Sequence, residues 1–190
     1  MPLVVNKEEI KLQILEAYER LSTQKPLTQI SLREIAAEAG MSHTKVLRYF
    51  HDKNSLYIES ARWASDLMVR DVREWLETHT FRDYPNEKAF LDGLFQDVRC
   101  AGSGSVSPRD VMMTCALAAY DERLKAVIQE AYLLLGEVFR AHLEAAFGRK
   151  LTEQEICAIV VLFNGVYFSA ANESLLNPFG TPVLETLAGL

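Results

Sequence analysis

The stretch Ser31–Leu56, SLREIAAEAGMSHTKVLRYFHDKNSL, decides how this chain folds. Ser31 is a good helix N-cap, because its hydroxyl can accept from a free backbone N–H of the first turn. Glu34, three residues on, completes a capping box. Leu32, Ile35, Ala36 and Ala39 then recur at i, i+3, i+4 and i+7, one apolar helical face. Gly40 ends that helix, because the residue past a helix often takes the left-handed conformation that glycine adopts cheaply. Ser42 can cap a second helix two residues later. Val46, Leu47 and Phe50 give that helix an inward face and leave His43, Thr44, Lys45 and Arg48 outside. Two short helices across a tight turn, the second offering polar side chains, have the layout of a helix-turn-helix.

The run Ile35-Ala36-Ala37-Glu38-Ala39-Gly40-Met41-Ser42, followed by Tyr49-Phe50, Lys53 and Leu56, resembles the DNA-binding signature of the TetR family of transcriptional regulators. The resemblance covers residues 6–57; beyond them only length and helical layout agree. The chain departs from the family pattern at three positions. A small residue is usual where Thr44 stands, a small polar one at Lys45, and a tyrosine at Leu47. That tyrosine commonly touches a DNA phosphate, which leucine cannot do, and Lys45 can supply attraction in its place.

The resemblance implies an all-α protein with an N-terminal three-helix DNA-binding head, residues 1–52. A larger helical body, residues 53–190, would bind an effector and dimerise. The N-terminal end of the second helix meets base edges in such a motif, which favours His43, Thr44 and Lys45. By resemblance Arg33 also reaches a base, and a guanidinium suits the O6 and N7 of guanine. Ser31, Ser42, Arg48, Tyr49 and Lys53 are candidates for phosphate contacts, the positioning part of such an interface. A solvated face is the alternative for the charged residues, and a core position is the alternative for Tyr49.

Charge distribution fits that division. The 190-residue chain carries a net charge of −6. Residues 1–53 hold eight Lys and Arg against seven Asp and Glu, a net of +1, and the remainder holds twelve against nineteen, a net of −7. An acidic body can carry a DNA-reading head, because fields between exposed charges are screened beyond roughly 8–10 Å at ordinary salt. Apolar and charged content are those of a globular protein. With no run of 18 or more apolar residues, no membrane span is expected. The N-terminus, MPLVVNKEEIKLQ, lacks the pattern of a secretory signal. Three cysteines, Cys100, Cys115 and Cys157, show no close spacing, which fits a reducing cytoplasm and gives no metal motif. No cofactor is implied.

Before the motif, residues 6–23 read as a helix capped by Asn6. Ile10, Ile14, Leu15, Tyr18 and Leu21 form its apolar face, with Lys7, Glu8, Lys11, Glu16 and Glu19 off it. Pro26 ends the helix and leads to Ser31. After the motif, a long helix over about 53–78 would join head to body. Helices follow over about 86–101, 108–119, 121–147 and 153–173, with a short one over 181–188. Ser107-Pro108 is a cap followed by proline at the first helical position. Thr152 with Glu155 is a second capping box, and Gly148 closes the helix before it. Gly102–Ser105 lacks the Gly-Lys-Ser/Thr ending of a phosphate loop. The helix over 153–173 is apolar nearly all round, so it must be covered on every side. A second subunit is the natural cover for one side, with Ile156, Ile159, Val160, Phe163 and Tyr167 as interface candidates.

Trp63, Met68, Phe90, Phe95, Met112, Met113 and Tyr120 are candidates for an effector pocket, with plain core packing as their alternative. They point to a mostly apolar effector. The motifs of zinc proteases, serine hydrolases and nucleotide-binding loops are missing, and no Glu-x-x-His pairs make a di-iron bundle, so no enzyme chemistry is expected. The reading is a cytoplasmic, ligand-responsive regulator, a repressor, that binds a near-palindromic operator as a homodimer. The alternative is a helical small-molecule-binding or interaction protein that reads no DNA.

Overall fold

The computed structural model describes residues 6–100 and 108–171, and within them every regular element is a helix. The chain runs α1 (Lys7–Ser22), α2 (Leu32–Glu38), α3 (His43–Tyr49), α4 (Lys53–Thr78), α5 (Glu87–Cys100), α6 (Pro108–Ala118), α7 (Glu122–Phe147) and α8 (Glu153–Ala171). Two 3₁₀ turns, Leu27–Gln29 and Phe81–Asp83, lie in the connections, where the sequence showed only punctuation. The short helix expected over 181–188 and the Gly102–Ser105 stretch lie outside the described residues.

The helix ends are set by local chemistry. Ser31 accepts from the Glu34 N–H while the Glu34 carboxylate takes the Ser31 N–H at 2.9 Å, which closes the capping box. Gly40 sits at φ +64°. The N–H groups of Gly40 and Met41 reach back to the carbonyls of Ala37 and Ala36, the paired bonds that seal a left-handed helix end. Ser42 then accepts from the Lys45 N–H at 3.2 Å and opens α3. Asp52 caps α4 in a reciprocal arrangement with Ser55. Asp121 caps α7, Gly148 at φ +65° ends it, and Thr152 with Glu155 opens α8.

Two cores result. In the head, Ile10, Ile14, Tyr18, Ile35, Val46 and Phe50 pack together, and Leu56 of α4 is fully buried among them. The head core therefore runs past residue 52 into the first turns of α4. In the body, Val72 and Trp75 of α4, Phe90 and Leu94 of α5, Leu135 and Phe139 of α7, and Phe163 of α8 make the main core. Full burial of one such side chain contributes about 1.5–3 kcal/mol. A third cluster, Ala61, Ala118, Leu124 and Val127, fastens α4 to α6 and α7 between these two cores. α4 is thus one rigid element rooted at both ends, one in the head and one in the body.

Sequence periodicity placed Glu19 off the apolar face of α1. The structure buries it, with Ser22, because α4 and α6 both close on that flank.

Candidate nucleic-acid interface and junction cavity

The outer face of α2 and α3 carries Arg33, Thr44 and Arg48 exposed, with His43 and Lys45 half-exposed. Among the described residues, Arg33, Lys45 and Arg48 enter no ion pair and no side-chain hydrogen bond. The two acidic groups of α2 are otherwise placed. Glu38 is held by the Arg20 guanidinium at 2.8 Å, and Glu34 by the Lys25 ammonium. Hydrogen bonds from Lys25 and then Ser31 hold the Glu34 carboxyl down at about 2, so it is ionised and matched across physiological pH. The head spends two cations on its own carboxylates and leaves three on the outer face uncommitted.

The other candidates are placed as follows. The hydroxyl of Ser31 donates to Glu34 at 2.7 Å, so its proton is already engaged. The cap at Ser42 uses the hydroxyl as acceptor and not its proton. Tyr49 packs partly against the head core. The Lys53 ammonium donates to the Thr28 carbonyl at 2.7 Å and lies 5.4 Å from the Tyr57 ring centroid. Burial holds its pKa below the usual lysine value.

A cavity opens where head meets body. Tyr18 and Glu19 of α1 and Leu27 of the 3₁₀ turn form its head side. Ser60, Ala61, Ala64, Ser65 and Met68 of α4 form one wall. Asp110, Val111, Thr114 and Cys115 of α6 and Ile128, Ala131 and Tyr132 of α7 complete it. Space for the centre of a water-sized sphere is about 40 Å³, room for a slender group. Of the seven residues suggested by the sequence, Met68 lines this cavity. Trp63 and Met113 pack against the head core, and Phe90 and Phe95 are buried in the body core. Met112 is partly covered, at 36% exposed, and Tyr120, at 92%, faces outward.

The sequence reading missed the polar members. Glu19 is only 6% exposed. Its Oε1 accepts from the Ser60 hydroxyl at 3.0 Å, while its Oε2 is buried with no hydrogen-bond partner. Such an atom typically costs about 1–3 kcal/mol. Burial pushes the Glu19 carboxyl up to about 7, against the pull of the Ser60 hydrogen bond, and the neighbouring Asp110 charge adds to the rise. The Ser22 hydroxyl lies against both the Asp110 carboxylate and the Glu19 carbonyl, so its one proton links α1 to α6. Burial also raises the Cys115 thiol, which sits 3.8 Å from the Tyr132 hydroxyl, and this marks it as inert. The available signal was a second stripe on α1, Leu15, Glu19 and Ser22 at i, i+4 and i+7.

Along α7 and α8 an apolar face is left open. Leu133 is 72% and Val161 62% exposed, and Leu134, Cys157 and Leu162 are exposed beside them. A shallow groove between the helices runs past Gly136, where Ile156 approaches closely. Of the interface candidates, Ile156, Ile159 and Phe163 turn inward and are buried in their own chain's core, and Val160 packs partly against it. The open face is carried by their neighbours. The side chain of Tyr167 lies outside the described residues. Tyr132 lines both this groove and the junction cavity. Among the described residues no group of His, Cys, Asp and Glu is arranged to hold a metal, and no helix is long and apolar enough to cross a membrane.

A helix-turn-helix head joined by one long helix to an all-α body defines the class of protein. Residues 14–59 match the model of the bacterial regulatory proteins, tetR family. An uncharacterised HTH-type transcriptional regulator of Haemophilus influenzae is 36% identical over 69 residues, 36% of this chain and 33% of that protein. The match therefore spans about a third of that relative's length. A tetR-family transcriptional regulator from Streptomyces coelicolor has a similar structure (TM-score 0.65, 19% identity, 94% of this chain and 75% of that one). So has reduced NemR of E. coli (TM-score 0.70, 16% identity, 95% of both chains). At these identities the likeness is one of fold. The head thus matches the tetR-family model, and the whole chain shares the fold of TetR-family regulators.

Proposed function

We propose that this protein is a ligand-responsive transcriptional repressor that binds a near-palindromic operator as a homodimer. Arg33, Lys45 and Arg48 carry the DNA-binding part of the reading: three unpaired cations on the outer face of a helix-turn-helix whose own carboxylates are already matched. His43, Thr44 and Lys45 stand at the start of α3, the end that enters the major groove in this motif. A two-fold dimer places two such heads on successive grooves, and two-fold DNA answers two-fold protein.

The exposed apolar side chains of α7 and α8 support the dimer. Two copies joined there bury Leu133, Val161 and Leu162 in a four-helix arrangement, and a stable interface of this kind removes on the order of 1,200–2,000 Å² from water. The junction cavity supports the ligand response. Its walls come from the head, from α4 and from the body, so an occupant touches every part that must move to change head spacing. By linkage, an effector that weakens operator binding is itself bound more weakly by the operator complex, by the same factor.

The deciding experiment is selection of duplexes from a random DNA pool by the purified protein at about 0.1 M salt, a regime in which phosphate contacts still contribute. Enrichment of a two-fold symmetric site is the expected result. Folded protein that enriches no sequence, with or without candidate ligands, moves the reading to a helical small-molecule-binding protein.

A further inference from the structure

The polar end of the junction cavity is lopsided. Glu19 and Asp110 both line it, and among the described residues no Lys, Arg or His does. One carboxylate oxygen, Glu19 Oε2, is buried without a donor, and the donor that serves its partner oxygen, the Ser60 hydroxyl, has no second proton to give. The opposite walls, Ala61, Ala64, Met68 and Ile128, are apolar. A neutral apolar occupant would leave Oε2 unpaired, and an anion would meet the buried Glu19 carboxyl. A group with N–H donors and positive charge satisfies the oxygen and pairs with the ionised form of Glu19.

We propose that the junction cavity is a binding site for a small primary amine in its protonated form, with the ammonium donating to Glu19 Oε2 and a short apolar tail lying along α4. The identification of this amine class as the effector rests on the ligand-responsive reading above; the existence of the site does not. It also departs from the mostly apolar effector that the sequence suggests. The site joins the head residue Glu19 to the α4 residue Ser60, and Ser22 on the same helix bonds Asp110 of α6, so an ammonium seated here places a charge beside the hydrogen bonds that set the head against the body.

Titration offers a signature. The titratable groups lining the cavity with Glu19 are Tyr18, Asp110, Cys115 and Tyr132. Burial pushes both phenols and the thiol upward, and it raises Glu19 to about 7, so Glu19 is the group placed to release a proton near neutrality. An arriving ammonium stabilises the ionised form of Glu19 and expels its proton when binding occurs below about 7.

The test is calorimetry on the whole protein without DNA, titrating n-butylammonium chloride and, separately, n-butanol at matched ionic strength. The expected result is a preference of at least about tenfold for the amine, as a charge-assisted hydrogen bond implies, which Glu19→Gln removes. At pH 6 the heat of amine binding should vary with the ionisation enthalpy of the buffer, reporting release of close to one proton, and at pH 8.5 that dependence should vanish. The proton measurement needs no variant, so it stands even if Glu19→Gln folds poorly. Equal affinity for butanol, an unchanged preference in Glu19→Gln, buffer-independent heat at pH 6, or no amine binding at all each overturn the proposal. Operator selection without amine tests the regulator reading separately, so failure of one leaves the other standing.

Discussion

The Lys53 ammonium, in the first turn of α4, donates to the Thr28 carbonyl oxygen at 2.7 Å. Four residues on, the Tyr57 hydroxyl donates to the Leu27 carbonyl at 2.8 Å. Together they clamp the 3₁₀ turn that leads into the helix-turn-helix onto the start of the link helix. An ammonium has three N–H donors, so one bond to Thr28 leaves two for a phosphate. Lys53→Ala should lower stability by about 1 kcal/mol, the usual net worth of such a bond. It should also weaken DNA binding across all sequences and flatten the slope of log affinity against log salt by about 0.9. Melting curves and salt titrations read the two effects apart. A lowered melting point with an unchanged slope would leave Lys53 as a clamp alone.

Lys45 sits in the first turn of α3, its backbone N–H held by Ser42 and its ammonium uncommitted among the described residues. If it reads bases, Lys45→Ala should change the preferred base at one position of each half-site, by about 1–3 kcal/mol of discrimination. Repeating the duplex selection with the variant gives the answer directly. A uniform loss of affinity with the same preferred site would reassign Lys45 to phosphates.

The contrast between these head residues and the cavity shows what a sequence exposes. Ser31, Glu34, Gly40 and Ser42 act within three residues of their partners, so their caps and turn can be read from the string, and the helix boundaries follow. Glu19 could not be read that way. Its burial depends on Ser60, 41 residues on, and on Asp110, which reaches the adjacent Ser22 across 88 residues. No periodicity on α1 reports which distant helix will close its second flank. α8 shows an intermediate case. Its all-round apolar pattern announced that both sides need cover, but not that Ile156, Ile159 and Phe163 would turn inward while Val161 and Leu162 turned out. An apolar stripe has no sign; only the packing of α5, α6 and α7 against it supplies one.

Glu19 also makes stability depend on pH in a defined direction. Its folded-state pKa is raised to about 7 from an ordinary value of 4.5, mainly by burial. The folded protein therefore holds the proton more tightly than the unfolded chain. The associated stability is fully present below about 4.5 and is lost as pH rises through about 7. Glu34 and Glu155, both held down at about 2 by hydrogen bonds and cations, act oppositely and only under strong acid. Between pH 5 and 8 the Glu19 contribution should thus dominate among these three. Glu19→Gln should flatten the decline in stability over that range, by roughly 2–4 kcal/mol for a shift of this size. Denaturant titrations of both proteins at several pH values measure it. Parallel pH profiles would mean that Glu19 keeps an ordinary pKa and that its environment is wetter than its burial implies.

The open face of α7 and α8 gives a test of assembly that spares the fold. Leu133 and Val161 are mostly exposed within one chain, so Leu133→Glu and Val161→Asp put no charge into the chain's own core. In a dimer joined there, the same charges would be buried next to their symmetry mates, without partners and in a low-dielectric environment. Each variant should therefore be helical and monomeric at micromolar concentration, as read by circular dichroism and sedimentation. Affinity for the two-fold operator should fall steeply, because one head alone keeps only half of the contacts and loses the linkage between half-sites. Binding of butylammonium at the junction should be less affected, since Glu19 and Ser60 lie in one chain, although Tyr132 borders both surfaces. Dimers that persist in both variants would place the interface elsewhere on the body.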